Sequence, residues 1–118
     1  MNIQAVDIKS KFMERLLEQP NKRHVAVFPT FLKTKAAWAD AVAVHRTLAL
    51  AGVSMLRLEF SNMMIHTPEG GFMMFKSVPN KEYLANLRGM EISSFFVEDF
   101  EHGLFRNEVI MALKCRVR

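Results

Sequence analysis

The fold is decided by one stretch near the N-terminus, Val25-Ala26-Val27-Phe28-Pro29-Thr30-Phe31-Leu32-Lys33-Thr34-Lys35-Ala36-Ala37-Trp38. Its first four residues form an apolar run that is typical of a strand. The run stops at Pro29, which fixes φ and lacks a backbone N–H. A short loop with two lysines follows, and an alanine-rich helix is predicted from Lys35 to Ala51, with Gly52 as its C-terminal stop. We therefore predict a strand–loop–helix unit at the centre of the domain.

This unit has the layout of a phosphate-binding loop, G-x-x-x-x-G-K-[ST], in which backbone amides cradle phosphates while the lysine and hydroxyl reach the nucleotide and Mg²⁺. Here the eight positions read Pro29-x-x-x-x-Thr34-Lys35-Ala36, so only the lysine is kept. Pro29 and Thr34 lack the freedom of the two glycines, and Ala36 has no oxygen for a metal ion. Nucleotide hydrolysis is not expected. A positive helix start could still attract a phosphate group, and the alternative is an ordinary connection with surface lysines.

Length and composition indicate one domain of 118 residues, half of them apolar, with nine Met and ten Phe. A small domain this apolar is expected to bury some of its surface between subunits. Cys115 is the single cysteine, which excludes an internal disulfide and a cysteine metal cluster and fits a reduced compartment. No charged-then-apolar leader opens the chain, and no run approaches the roughly 18 apolar residues of a membrane span. We therefore expect a cytoplasmic protein.

The excess positive charge lies near the N-terminus. Residues 1–35 contain seven of the sixteen Lys and Arg residues and three of the twelve acids, whereas residues 36–118 are neutral overall. Residues 1–7 are predicted to be a mobile tail, and an amphipathic helix with a basic side is predicted from Ile8 to Glu18. Such a helix can hold a partner subunit, touch a membrane or contact nucleic acid, or it can simply pack on its own domain.

The rest of the chain is predicted to alternate between strands and helices. The predicted elements are a half-buried strand from Ser54 to Phe60, a hairpin from Met63 to Lys76 around Pro68-Glu69-Gly70-Gly71, a short helix from Lys81 to Leu87, a strand from Ile92 to Asp99, and a last strand from Val109 to Val117 with a basic face. His66 has no acids or further histidines at metal-ligand spacing, so no metal site is predicted. The order of elements predicts a three-layer α/β domain.

An apolar strand that ends in two acids, downstream of the strand–loop–lysine–helix unit, resembles the second nucleotide motif of P-loop enzymes. The acids are Glu98 and Asp99, in the reverse of the usual order. Leu87-Arg88-Gly89 and the Pro68 hairpin are similar to segments of phage terminase and helicase ATPase cores. The chain thus resembles a degenerate RecA-like domain with a central sheet and a mutated phosphate loop. This domain would span residues 22–118 and follow a basic N-terminal helical extension of residues 1–21.

A small RecA-like domain of this kind is similar in architecture to the single-stranded-DNA-binding RNA polymerase cofactor of lytic phages that carry their own virion RNA polymerase. The resemblance implies a homo-oligomer, taken as a tetramer, that coats single-stranded DNA without sequence preference in the host cytoplasm. It further implies RNA polymerase as a partner, a role in phage transcription or replication, no cofactor and no enzyme activity.

Binding of single-stranded nucleic acid requires cations for the phosphates and aromatic faces for the bases. The residues predicted to form this site are Lys9, Lys11, Arg15, Lys22, Arg23, Phe31, Lys33 and Lys35, and a second candidate strip contains Lys114, Arg116 and Arg118. Phe31 is the aromatic side chain that we expect to be exposed. Two other functions stay open. One is an ATPase fragment in which Lys35 binds phosphate while Glu98 and Asp99 handle Mg²⁺ and water. The other is a protein-binding adaptor or inhibitor with a Met-rich surface.

Overall fold

Helices lie on both faces of a five-stranded mixed sheet in the computed structural model, which describes residues 10–52, 55–101 and 103–117. The elements are, in chain order, α1 (Lys11–Glu18), β1 (Arg23–Phe28), α2 (Phe31–Leu50), β2 (Arg57–Glu59), β3 (Met64–His66), β4 (Phe72–Ser77), a 3-10 helix (Lys81–Leu87), β5 (Ser94–Val97) and α3 (Gly103–Lys114). The predicted α/β class is confirmed. The predicted tail, residues 1–7, lies outside the described residues.

Strand β1 is the centre of the parallel part of the sheet. The strand order is β2-β3-β4-β1-β5, and β1 pairs in parallel with β4 on one side and with β5 on the other. Strands β2, β3 and β4 form antiparallel pairs, so the hairpin predicted between residues 63 and 76 is confirmed as β3 and β4. Five of the six residues of β1 are buried, as expected for a parallel strand with helices on both faces.

Alternate residues of β1 contribute to two separate cores, because successive side chains of a strand point to opposite faces. Ala26 and Phe28 belong to the first core, which contains α1 and α2. In this core the ring of Phe12 contacts Phe28 and two other phenylalanines edge-on, at centroid distances of 5.1 to 5.8 Å. Val25 and Val27 belong to the second core, with α3 and the 3-10 helix.

The starts of α1 and α2 are fixed by side-chain caps. The hydroxyls of Ser10 and Thr30 each accept a hydrogen bond from the backbone N–H three residues further on, at 3.3 and 3.1 Å. A cap of this kind stabilises a helix by about 1 kcal/mol. Because Thr30 is the cap, α2 begins at Phe31, four residues earlier than predicted. The connection after β1 is therefore Pro29 and Thr30 alone, and the two predicted loop lysines lie inside the helix.

The predicted last strand is wrong, because residues Gly103–Lys114 form α3. Val109 and Leu113 are four residues apart and both are fully buried in the second core, which is the spacing of one helix face. A short apolar run satisfies both the strand period and the helix period, and only tertiary packing separates them. Among the described residues after α3, Val117 alone keeps a strand-like contact, an isolated parallel bridge to Ile92.

The other predicted elements differ from the structure mainly in length. β2 covers only Arg57–Glu59 of the strand predicted from residue 54, and β5 covers only Ser94–Val97 of the strand predicted from residue 92. The predicted short helix is a 3-10 helix with Asn80 as its cap. Gly52 follows α2 with a φ of 72°, consistent with the predicted stop.

Candidate nucleic-acid interface

The lysine-bearing start of α2 and the acids after β5 meet at one edge of the sheet. Since β1 and β5 are parallel neighbours, the segments that follow them lie at the same, carboxyl end of the sheet. Lys33 Nζ donates a hydrogen bond to the backbone oxygen of Asp99 at 3.3 Å, although the two residues are 66 positions apart in the sequence. The predicted loop and the predicted second-motif acids, Glu98 and Asp99, are thus brought together.

A cleft of about 470 Å³ opens at this carboxyl edge between α1, α2 and the end of β5. Phe12 and Phe28 are among its apolar lining residues, and its polar lining residues are Ser10, Lys11, Lys33, Asp40, Glu98 and Asp99. Lys11 forms an ion pair with Glu98. Two lysines therefore face three carboxylates, so the cleft has no positive excess with which to attract a phosphate group.

The segment that matches the phosphate-loop spacing does not form a phosphate cradle in the structure. Thr34 is fully buried, and its hydroxyl donates to the Thr30 backbone oxygen at 2.8 Å and lies 2.6 Å from the Ser77 hydroxyl. Lys35 and Ala36 are exposed on the next turn of α2. A phosphate cradle needs several backbone N–H groups in an open loop, whereas the amide of Lys33 is already bonded to the Thr30 cap.

An aromatic patch lies beside this segment. Phe31, the side chain that we expected to be exposed, is 53% exposed at the first position of α2. Its ring contacts that of Tyr83 from the 3-10 helix edge-on, with centroids 6.0 Å apart. Lys35 is exposed one helical turn further along α2. Phe31, Tyr83 and Lys35 together form what we call the carboxyl-edge patch, in which two rings and a cation lie close together.

The predicted nucleic-acid residues do not form one continuous track. Lys22 and Arg23 lie at the amino end of β1, whereas Phe31, Lys33 and Lys35 lie at its carboxyl end. A six-residue strand separates the two groups, which corresponds to about 17 to 20 Å. Lys9 lies outside the described residues. The charge concentrated in residues 1–35 is therefore divided between opposite ends of the sheet.

The two predicted cations of α1 face β5. The guanidinium of Arg15 lies 4.8 Å from the centroid of the Phe96 ring and donates a hydrogen bond to the Ser94 hydroxyl at 3.0 Å. Lys11 lies 5.5 Å from the same ring centroid, in addition to its ion pair with Glu98. Both cations are therefore engaged in holding α1 on the sheet, which leaves them less available for phosphates.

Arg15 also belongs to a hydrogen-bonded network around the buried side chain of His24. His24 Nε2 lies 3.1 Å from the Gln19 backbone oxygen, which can only accept, so Nε2 carries the proton. Nδ1, 2.6 Å from the Ser94 hydroxyl, then accepts a hydrogen bond from it. Burial lowers the pKa of His24, which keeps the ring neutral. The network joins α1, β1 and β5.

One face of β2, β3 and β4 is left open within the described part of the chain. Helix α3 packs on β5 and on the 3-10 helix, and the second core that they form with Val25 and Val27 of β1 extends as far as Met74 of β4. The side chains that share this face on β2, β3 and β4 are all partly or fully exposed; they are Arg57, Glu59, Met64, His66, Phe72, Met74 and Lys76. We call this surface the open sheet face. The opposite face of the same strands is covered by α2.

Four side chains form a row across the open sheet face. The strand register pairs Arg57 with His66, His66 with Phe72, and Phe72 with Arg23. Directly paired residues project from the same face, and neighbouring strands are about 4.8 Å apart, so the row is about 14 Å long. The rings of His66 and Phe72 contact each other with centroids 6.2 Å apart. An exposed arginine lies at each end of the row.

Two carboxylates lie close to this row. Glu59 accepts hydrogen bonds from Asn62 and, at 3.2 Å, from His66 Nε2. These hydrogen bonds, that of Asn62 first, lower the pKa of Glu59. Glu91 Oε2 lies 3.7 Å from Arg23 Nη1, at the outer limit of an ion pair. Glu59 is therefore already bonded to its neighbours, and Arg23 and Arg57 remain at the surface.

The nucleic-acid-binding residues predicted from the sequence did not include Arg57, His66, Phe72 or Tyr83. The predicted hairpin already places His66 and Phe72 on facing strands, so their proximity had a signal in the sequence. Arg57 and Arg23 join the row only through the strand order and the parallel pairing of β1 with β4, for which a single sequence has no local signal.

No helix in the described ranges is long and apolar enough to cross a membrane. In the same part of the chain, no group of three or more His, Cys, Asp or Glu side chains could hold a metal ion. Comparisons of the chain with protein-family models, with curated proteins and with solved structures found no match. The class of the molecule is therefore defined by its fold alone, an α/β domain with a mixed sheet.

Proposed function

We propose that this protein binds single-stranded DNA without sequence preference and does not hydrolyse nucleotides. The observation that carries the proposal is the carboxyl-edge patch, in which the exposed Phe31 ring contacts Tyr83 and lies within one helical turn of Lys35. A base that stacks on an exposed aromatic side chain contributes about 1–3 kcal/mol whatever its identity, because every base has a flat face. An adjacent cation adds a phosphate contact that is equally indifferent to sequence.

The absence of hydrolysis is supported by the start of α2. Thr34 is buried and bonded to Ser77, and Ala36 has no hydroxyl for Mg²⁺. Phosphoryl transfer depends on positioned phosphates and metal ions, and these residues can supply neither. The proposal includes a RecA-like ancestry, because a strand–lysine–helix unit and two acids after the neighbouring parallel strand lie at one edge of the sheet.

The test is fluorescence anisotropy with labelled single-stranded and double-stranded oligonucleotides, of mixed and homopolymer sequence, over a salt series. We expect tighter binding to the single strand, similar affinity for different sequences, and a log–log salt slope of about −0.7 per phosphate contact. Phe31→Ala combined with Lys35→Ala should weaken binding. Phe60→Ala with Arg46→Ala is the matched control, because it removes an exposed ring and an exposed cation elsewhere. No binding by the wild type at low salt would reject the proposal.

A second candidate function, protein binding as an adaptor or inhibitor, is favoured by large apolar side chains that remain exposed. The most exposed are Leu50 (92%), Leu104 (85%), Met55 (80%), Leu32 (79%) and Met111 (63%). Binding through such side chains would change little with salt, whereas phosphate binding weakens steeply. The phage resemblance adds RNA polymerase as a partner and a tetrameric state. Co-purification with polymerase and sedimentation equilibrium test these two proposals separately.

A further inference from the structure

We infer that the row Arg57, His66, Phe72 and Arg23 on the open sheet face is a second contact surface for single-stranded DNA. This inference rests on the proposed function and assigns it a binding path. The path starts at the carboxyl-edge patch, runs along β4 and ends at the row. Arg23 was among the residues predicted to bind nucleic acid, whereas Arg57, His66 and Phe72 were not, so the row extends the surface that the sequence suggested onto β2, β3 and β4.

The two surfaces are connected on the same side of the sheet. Phe72, Met74 and Lys76 alternate along the open face of β4, whereas Met73 and Phe75 point into the first core. The six residues of β4 span about 20 Å. The 3-10 helix follows β4, and its Tyr83 packs on the second core and contacts Phe31. A single strand bound at Phe31 can therefore continue past Lys76, and along the edge of the second core at Met74, to Phe72 without crossing to the other face.

The chemistry of the row fits an unpaired polyanion. Its ends are exposed guanidinium groups and its centre is a pair of rings, which is the combination that single strands use for phosphate contacts and base stacking. In a duplex the bases are stacked on one another, so their faces are not available to the partly exposed ring of Phe72. Met64 and Met74, at the next register position, extend the apolar surface toward the second core, against which Met74 packs.

The cations of this face outnumber its carboxylates by one, since Arg23, Arg57 and Lys76 face Glu59 and Glu91. Glu59 is held by Asn62 and His66, and Glu91 is 3.7 Å from Arg23. Lys76 adds a third cation to Arg23 and Arg57 on the same face. A polyanion that approaches the row therefore meets arginine at both ends. An acidic peptide would meet the same charges but would gain no stacking on Phe72, so a single-stranded nucleic acid is the occupant to which we commit.

The experiment compares two variants with one matched control by anisotropy, at one salt concentration for the affinity and over a salt series for the slope. Arg57→Ala should weaken binding of a long oligonucleotide severalfold and make the salt slope shallower by about 0.7. Phe72→Leu keeps the apolar character but loses the stacking face, and it should weaken binding about 5- to 160-fold. Arg46→Ala removes the same charge from α2, on the other face of the sheet, and should leave affinity within twofold. Thermal unfolding checks that Phe72→Leu is folded, and Arg57→Ala, at an exposed position, does not depend on that check.

The outcomes separate this inference from the proposed function. If the wild type binds no single-stranded DNA, both proposals fail. In a second outcome, the wild type binds and the double change Phe31→Ala with Lys35→Ala weakens binding. If Arg57→Ala then binds like Arg46→Ala, and Phe72→Leu binds like the wild type, only the row is rejected. Ultraviolet cross-linking to an oligonucleotide with halogenated uracil provides an independent readout. We expect cross-linked peptides from β3 or β4, and cross-links confined to α2 and the 3-10 helix would overturn the path.

Discussion

Gly71→Ala should be among the most destabilising single-methyl changes in this protein. Gly71 lies where the chain enters β4, with its N–H donated to the Thr67 hydroxyl at 3.0 Å. A Cβ at this position would overlap the backbone oxygens of Pro20 and Lys22 and would lie 2.9 Å from the Lys22 nitrogen. These atoms belong to the backbone, so they cannot rotate away as a flexible side chain would. The methyl group therefore pushes the start of β4 away from the segment that leads into β1.

The magnitude follows from the same contacts. Overpacking by one methyl group typically costs about 1–3 kcal/mol, and the upper end applies because the obstacles are backbone atoms. The displacement also threatens the hydrogen bond from the Phe72 N–H to the Lys22 oxygen, which is 3.1 Å long. A loss of about 3 kcal/mol should lower the unfolding temperature by roughly 10 to 15 °C in a domain of this size.

Circular dichroism during thermal and urea unfolding measures this loss, with Gly103→Ala as the matched control. A Cβ at Gly103 has no heavy atom within 4 Å, and the residue opens α3. Gly103→Ala should therefore be neutral or stabilising by up to about 1 kcal/mol, through the unfolded chain. If Gly71→Ala unfolds at the same temperature as Gly103→Ala, the close approach between the Pro20–Lys22 segment and Gly71 is not present in solution.

Three further changes test other parts of the fold. Thr30→Ala removes the α2 cap and should cost about 1 kcal/mol, whereas Thr30→Ser should cost much less; urea midpoints distinguish them. Because burial lowers the pKa of His24 below its usual 6.5, its contribution to stability is present above about pH 6.5 and is lost as the pH falls further. The urea midpoint of the wild type should therefore fall between pH 7 and pH 5 more steeply than that of His24→Gln, and equal slopes would contradict this role. Met13→Ala, at a fully buried site, should cost about 2–5 kcal/mol, against less than about 0.5 kcal/mol for Met111→Ala, at a 63% exposed site.

The elements with a strong local pattern were predictable from the sequence. In α1, the spacing of Phe12 and Leu16 matches the face that is buried in the first core. The hairpin around Gly70 and Gly71 could be predicted because its turn residues and alternating apolar strands lie within about a dozen positions of each other. Helix α3 could not, because residues 109–117 satisfy two periods and the choice depends on a core that is built from distant strands.

The site was predictable only in part, for a related reason. Phe31 was expected to be exposed because it lies in a predicted loop with two lysines, whereas most other phenylalanines fall at strand-alternating positions, and it is exposed. The start of α2 was misplaced because Thr30 was read as a loop residue and not as a cap. The row on the open sheet face requires Phe72 to pair with Arg23, and this pairing is set by the register of β1 against β4. Register between distant strands depends on the whole core, so a single sequence does not reveal it.

The central position of β1 also has a consequence for folding during synthesis. His24 and Ser94, its partner residue in β5, are 70 positions apart, and loops of this length make parallel pairing slow. At about 5 to 20 residues per second, the ribosome needs roughly 4 to 14 s to make the segment between them. Until β4 is made, the apolar strand β1 lacks a partner on both of its edges. Until β5 is made, it still lacks a partner on one edge. The unfinished chain, more than the completed domain, is therefore the species that we expect to aggregate.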